Sequence, residues 1–186
     1  ERPFNPGELV IGAHGTFFAR SIDAEVNLTT ECMVAASKHD GLSVIEVLVN
    51  CMIFNNGTHK AFAGDKEVRA EHTITLRQGE KMLFGKNMDK GLMLDNMKLK
   101  VVTVGENGVT LDDILVHDAH EKDTMVHVML ASMKYPDFPV ALGIIRDVAE
   151  PTYEREVARQ IAEVQATAKI KNVDDLLNSG ETWEVE

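Results

Sequence analysis

Cysteine is almost missing from this chain. Its 186 residues include two, Cys32 and Cys51, so no disulfide framework holds the fold, and a reducing, cytoplasmic compartment is the expected setting. Positive charge is also scarce. With 19 basic against 30 acidic residues the formal net charge is −11, which disfavours a nucleic-acid footprint, because phosphate binding needs a concentrated basic surface; nucleic acid is not an expected partner. No run approaches the length of apolar sequence that crosses a bilayer, and the opening ERPFNPGELV has neither a basic start nor an apolar h-region, so neither a membrane nor a secretory route is expected. Internal repeats and low-complexity stretches are absent too. What is present is an ordinary soluble composition, 44% hydrophobic and 26% charged, enough for one sizeable domain or a domain with an appendage. The start at Glu1-Arg2-Pro3-Phe4, without an initiator Met, is expected to be that of a fragment or a processed chain.

Local patterns place the elements. Asn5-Pro6-Gly7-Glu8 reads as a helix start with Asn5 as cap and Pro6 at the first helical position. Residues 16–20 suit a buried strand. Leu28, Cys32, Ala35 and Ala36 recur at helical spacing from Val26 to Lys38, and Gly41 stops that helix. Leu42 to Val49 is nearly continuous in apolar and β-branched residues, as expected of a central parallel strand covered on both faces. Strand, helix and strand together make a βαβ unit. Beyond Cys51 the chain breaks into short pieces, with strand candidates at 82–84, 91–94 and 99–104 and a turn at Gly105-Glu106-Asn107-Gly108. Glu121 to Met133 fits an amphipathic helix ended by Tyr135-Pro136. Val140 to Ile145 is a further apolar run, followed by a polar exit from Arg146 to Pro151. The last long helix runs from Thr152, its cap, to about Lys169, and a short turn covers Asp174 to Leu177.

Few residues carry chemistry. Cys51 follows the carboxyl end of the strand ending at Val49, the edge where open α/β sheets bind ligands. A thiol there could be a nucleophile, a metal or cluster ligand, or a small buried hydrophobe. Cys32 lies on the apolar stripe of its helix and reads as core. His117, His120 and His127, near Asp118 and Asp123, match no compact metal-ligand spacing. The pairs Asp112-Asp113 and Asp174-Asp175 read as helix caps, and Met125, Met129 and Met133 as core filling rather than a partner surface. Gly12-Ala13-His14-Gly15 is too short and wrongly placed for a phosphate loop.

Several strings in order carry a resemblance: Phe4-Asn5-Pro6, Gly15-Thr16-Phe17-Phe18-Ala19-Arg20-Ser21, Val44-Ile45-Glu46-Val47-Leu48 and Asn50-Cys51-Met52-Ile53-Phe54-Asn55-Asn56. They continue through Phe84-Gly85-Lys86, Gly105-Glu106-Asn107-Gly108, residues 112–120 and Pro139-Val140-Ala141-Leu142-Gly143 to Pro151-Thr152-Tyr153. Together they resemble the C-terminal half of 2-oxoacid:ferredoxin oxidoreductase beta subunits, the thiamine-diphosphate-binding subunits, and most closely the 2-oxoglutarate group.

The resemblance implies an α/β fold: the C-terminal part of a thiamine-diphosphate-binding parallel-sheet domain in residues 1–54, and a smaller β-rich beta-subunit extension with a terminal helix in 55–186. It implies a coenzyme A-dependent oxidative decarboxylation of a 2-oxoacid with electrons passed to ferredoxin, and as partners the alpha subunit, the N-terminal half of the beta subunit and ferredoxin. In the complete enzyme the cofactors are thiamine diphosphate, Mg²⁺ and a 4Fe–4S cluster held by four Cys thiolates. The position that matches the fourth cluster ligand is Cys51. The family's Gly-Asp-Gly-Asp-type metal motif and Cys-x-x-Cys pair are absent from this sequence and are expected before Glu1. No thiamine, Mg²⁺ or catalytic residue is therefore carried over, and this chain alone is expected to bind no cofactor and to be inactive. A rival reading is a self-standing α/β interaction or scaffold domain in which Cys51 is structural.

Overall fold

The computed structural model describes residues 3–181 together with Trp183 and Val185. Asn5 caps helix α1 (Pro6–Gly12) by accepting from the Gly7 amide, with Pro6 at its first position; the missing proline N–H costs nothing there. Strand β1 (Phe17–Ile22) is buried at every residue. Helix α2 (Val26–Lys38) follows, then β2 (Ser43–Leu48), parallel to β1 from Phe17↔Ser43 to Ile22↔Leu48. The expected βαβ unit is therefore present.

Two short helices come next, α3 (Lys60–Ala63) and α4 (Lys66–His72), the second capped by the Asp65 carboxylate on the amides of Glu67 and Val68. Strand β3 (Thr73–Leu76) leads to an antiparallel sheet of β4 (Leu83–Phe84), β5 (Lys90–Asp95) and β6 (Lys98–Thr103). Helix α5 (Met125–Ser132) and strand β7 (Val140–Asp147) complete the first compact unit, which ends at Glu150. A second unit, from Pro151 onward, carries α6 (Tyr153–Thr167), capped by Thr152 on the Arg155 amide, and α7 (Val173–Leu177).

The main sheet has the order β2-β1-β7-β3. The parallel pair β1 and β2 meets β7 antiparallel to β1, while β3 runs parallel to β7. Alternate residues of β1 serve opposite faces, as the period of a strand requires. Phe17 and Ala19 pack with Leu28 and Cys32 of α2; Phe18 packs with Ile11, Leu130 and Ala131 from the helices of the other face, where Phe84 and Leu92 of the small sheet join the same cluster. Both core clusters join residues from early and late in the first unit.

Four expectations are corrected. The strand read as central, Leu42 to Val49, is β2 at the edge of the sheet, and all six of its residues are half-buried rather than covered on both faces. The helix expected from Glu121 begins at Met125, because the carbonyls of Glu121 and Lys122 turn to the guanidinium of Arg146 instead of entering a helical ladder. The polar exit expected from Arg146 is the end of β7, and Arg146 is buried. The methionine stripe splits likewise: Met133 is core, whereas Met125 is exposed. Strands β3 and β7, from beyond residue 54, share the main sheet with β1. Among the described residues, no helix is long and apolar enough to cross a membrane.

Candidate functional site at the carboxyl edge of the parallel strands

Strands β1 and β2 end together at Ile22 and Leu48, and the chain leaves that edge into a loop, residues 50–58. Asp23, just beyond β1, accepts from the Asn50 amide (3.1 Å) and ties the loop's first residue to the neighbouring strand. The Asn50 side chain then closes the loop on itself. Its Oδ1 accepts from the Gly57 amide (2.7 Å), and its Nδ2 donates to Asn56 Oδ1 (3.0 Å) and lies 3.2 Å from Met52 Sδ. Gly57 has φ +80°, a left-handed conformation that only glycine adopts at no steric cost.

Cys51 sits inside this closed loop, half-buried. The Asn55 amide donates to the Cys51 carbonyl (3.1 Å), and the Phe54 amide donates to Cys51 Sγ (3.4 Å). Those peptide dipoles, Phe54 first and then Ile53, hold the thiol below its ordinary pKa, because N–H donors favour the charged sulfur. Met52, Ile53 and Phe54 follow directly and are 71%, 87% and 91% exposed. A sulfur that welcomes negative charge thus stands beside an uncovered apolar tip.

Next to the loop a cavity of about 640 Å³ opens at the same edge, lined by Arg20, Glu46, Leu48, His59, Phe62 and Tyr135 among others. Arg20 and Glu46 are cross-strand neighbours in the β1–β2 register and form an ion pair of 2.6 Å. The rest of the Arg20 guanidinium reaches Asn5 Oδ1 (3.3 Å) and the Ala131 carbonyl (3.1 Å). A buried cation so fully partnered fixes the wall of the cavity in one geometry.

The other candidates separate from this edge. Cys32 is buried on α2, and burial pushes its thiol up. His127 accepts from Arg146 Nη1 at Nδ1 (2.9 Å) and donates from Nε2 to the Asp118 carbonyl (2.8 Å). Because a guanidinium can only donate, His127 is the neutral Nε2–H tautomer. His117 donates from Nε2 to the Ile144 carbonyl (2.8 Å), and its buried Nδ1 has no partner among the described residues. Desolvation lowers both histidines. Among the described residues no three His, Cys, Asp or Glu side chains gather as a metal site. Asp113 closes a capping box with Thr110, and Asp174 and Asp175 lie in the first turn of α7, as their spacing implies. Asn50 escaped the sequence reading because its role depends on Gly57, seven residues away.

In fold, the chain is similar to a solved 2-oxoglutarate:ferredoxin oxidoreductase from Magnetococcus marinus with 2-oxoglutarate, coenzyme A and succinyl-CoA bound, at a TM-score of 0.56 and 14% identity, over 98% of this chain and 46% of that one. In sequence it is 32% identical over 189 residues to the 2-oxoglutarate oxidoreductase subunit KorB of Mycobacterium tuberculosis. That match takes in 100% of this chain and 50% of the relative, so the chain spans about half the length of the curated relative it matches. No protein-family model matches. The resemblance to 2-oxoacid:ferredoxin oxidoreductase subunits, carried in the sequence by its ordered strings, is thus present across the whole chain.

Proposed function

We propose that this chain is part of the beta subunit of a 2-oxoacid:ferredoxin oxidoreductase and supplies, through Cys51, one thiolate to a 4Fe–4S cluster whose other ligands lie in protein outside it. The observation that carries this reading is the placement of Cys51: on an accessible loop at the carboxyl edge of the parallel strands, with a peptide N–H on its sulfur. A packed structural cysteine has neither property, and Cys32 serves as the internal contrast.

The donor set fits one corner of a cluster and no more. Thiolate is the ligand such clusters require, and N–H donors to a ligating sulfur are the usual means by which protein adjusts its charge. Cys32, buried on α2, offers no second ligand. For thiamine diphosphate and Mg²⁺ the sequence has no matching motif. When bound, the cluster accepts and passes on single electrons. The chain's own task is to present one sulfur at a fixed place, and the exposed Met52, Ile53 and Phe54 give the complementary protein an apolar surface to cover.

The complete enzyme is an oxidoreductase that joins a 2-oxoacid to coenzyme A with loss of CO₂, and 2-oxoglutarate is the favoured substrate because both relatives carry it in their names. The alpha subunit and ferredoxin are its partners, the cytoplasm is its setting, and residues 55–186 are the subunit's own extension, woven into the main sheet through β3 and β7. The test is Cys51→Ala in the complete subunit. Iron content per subunit and the absorbance of the cluster should fall to background, whereas Cys32→Ala should keep both. A Cys51→Ala protein with a full cluster removes the ligand assignment.

A further inference from the structure

Resting on the reading of Cys51 as a cluster ligand, we infer that Asn50 is a positioning residue that locks the loop so that peptide amides stay on the ligating sulfur and raise the reduction potential of the cluster. Asn50 acts through its backbone amide and both polar side-chain atoms: its amide holds Asp23 at the end of β1, its Oδ1 takes the Gly57 amide, and its Nδ2 reaches Asn56. Asn55 adds a second brace to Thr58 Oγ1 at 2.9 Å.

The physical argument turns on what an unbraced loop would do. Its tip residues are almost wholly exposed and have no core contacts to restrain them, so without the Asn50 bridge the backbone from 51 to 57 would sample many conformations. Only a subset keeps the Phe54 N–H directed at the sulfur, where it now lies at 3.4 Å. An N–H dipole aimed at a ligating sulfur stabilises the reduced cluster more than the oxidised one, because reduction adds an electron shared with that sulfur. Releasing the loop therefore makes the cluster harder to reduce. Alanine at 50 removes the side-chain links to Gly57, Asn56 and Met52 Sδ but leaves the backbone link to Asp23, and alanine at 56 removes only the link between Asn50 and Asn56.

The experiment uses the complete subunit in its assembled enzyme and follows the cluster by EPR-monitored potentiometry, with iron content as a separate readout. Asn50→Ala should lower the midpoint potential and broaden the spectrum at unchanged iron; Asn56→Ala should shift it in the same direction by less. An Asn50→Ala enzyme that is folded by circular dichroism but has lost iron also supports the assignment, since the thiol is then no longer presented. If Asn50→Ala does not fold, the direction of the Asn56→Ala shift decides. Wild-type potential and line shape in Asn50→Ala, or in Asn56→Ala where it alone folds, overturn the inference. A full cluster in Cys51→Ala would instead sink the underlying reading, so the two failures are distinct.

Discussion

Gly143 shows how much one residue can hold. It sits in β7 at φ +95°, opposite Arg20, and a Cβ added there would lie 2.6 Å from the backbone oxygen of Leu76. Neither the conformation nor the neighbour can yield cheaply, because Leu76 belongs to the paired strand β3. Gly143→Ala should destabilise the fold by at least about 2 kcal/mol, measured as a lower urea midpoint. Sequence alone marked residues of this kind unevenly. The position of Cys51 just past a strand end was legible in the apolar run before it. Asn50 was not, since an asparagine in a polar loop looks like any other until Gly57 is seen to close on it.

At the scale of elements, α5 and β7 are joined by a buried polar knot. Arg146 is 6% exposed and donates to the carbonyls of Gly15, Glu121 and Lys122 and to His127, while the carboxylates of Glu150 and Asp123 act on it through charge. Desolvation is the first cause that lowers both His117 and His127, and for His127 the charge of Arg146 adds to it. Their folded pKa values thus lie below the unfolded value of about 6.5. Stability from keeping them neutral is complete above that pH and is lost as pH falls through it toward the folded values. Thermal melts from pH 8 to pH 5 should therefore show Tm falling below about pH 6.5, and His127→Gln should flatten that fall. Helix caps were readable here because their chemistry is local: Asn5, Thr152 and Asp113 all act as their positions imply. Strand β3 and helix α4 were not, since Thr-Ile-Thr-Leu is short and gains its burial from β7 rather than from its own pattern.

Over the whole molecule, both core clusters lie within the unit ending at Glu150. A chain ending there should keep a cooperative unfolding transition, with its Tm within a few degrees of the parent by calorimetry; loss of the transition would mean that residues 151–186 are part of the folding unit. The order of the sheet was beyond the reach of pattern. An apolar run such as Val140 to Ile145 declares that it is buried, yet says nothing of its direction or its neighbours. In the event β7 lies between β1 and β3, and β1 must wait for it. During synthesis β1 gains β2 on one side, and more than a hundred residues are translated before β7, which pairs with its other side, exists. Folding of this unit is consequently a late, nearly all-at-once event, and β1, buried at every residue once folded, passes through a long interval in which a chaperone, or another nascent chain, can reach it first.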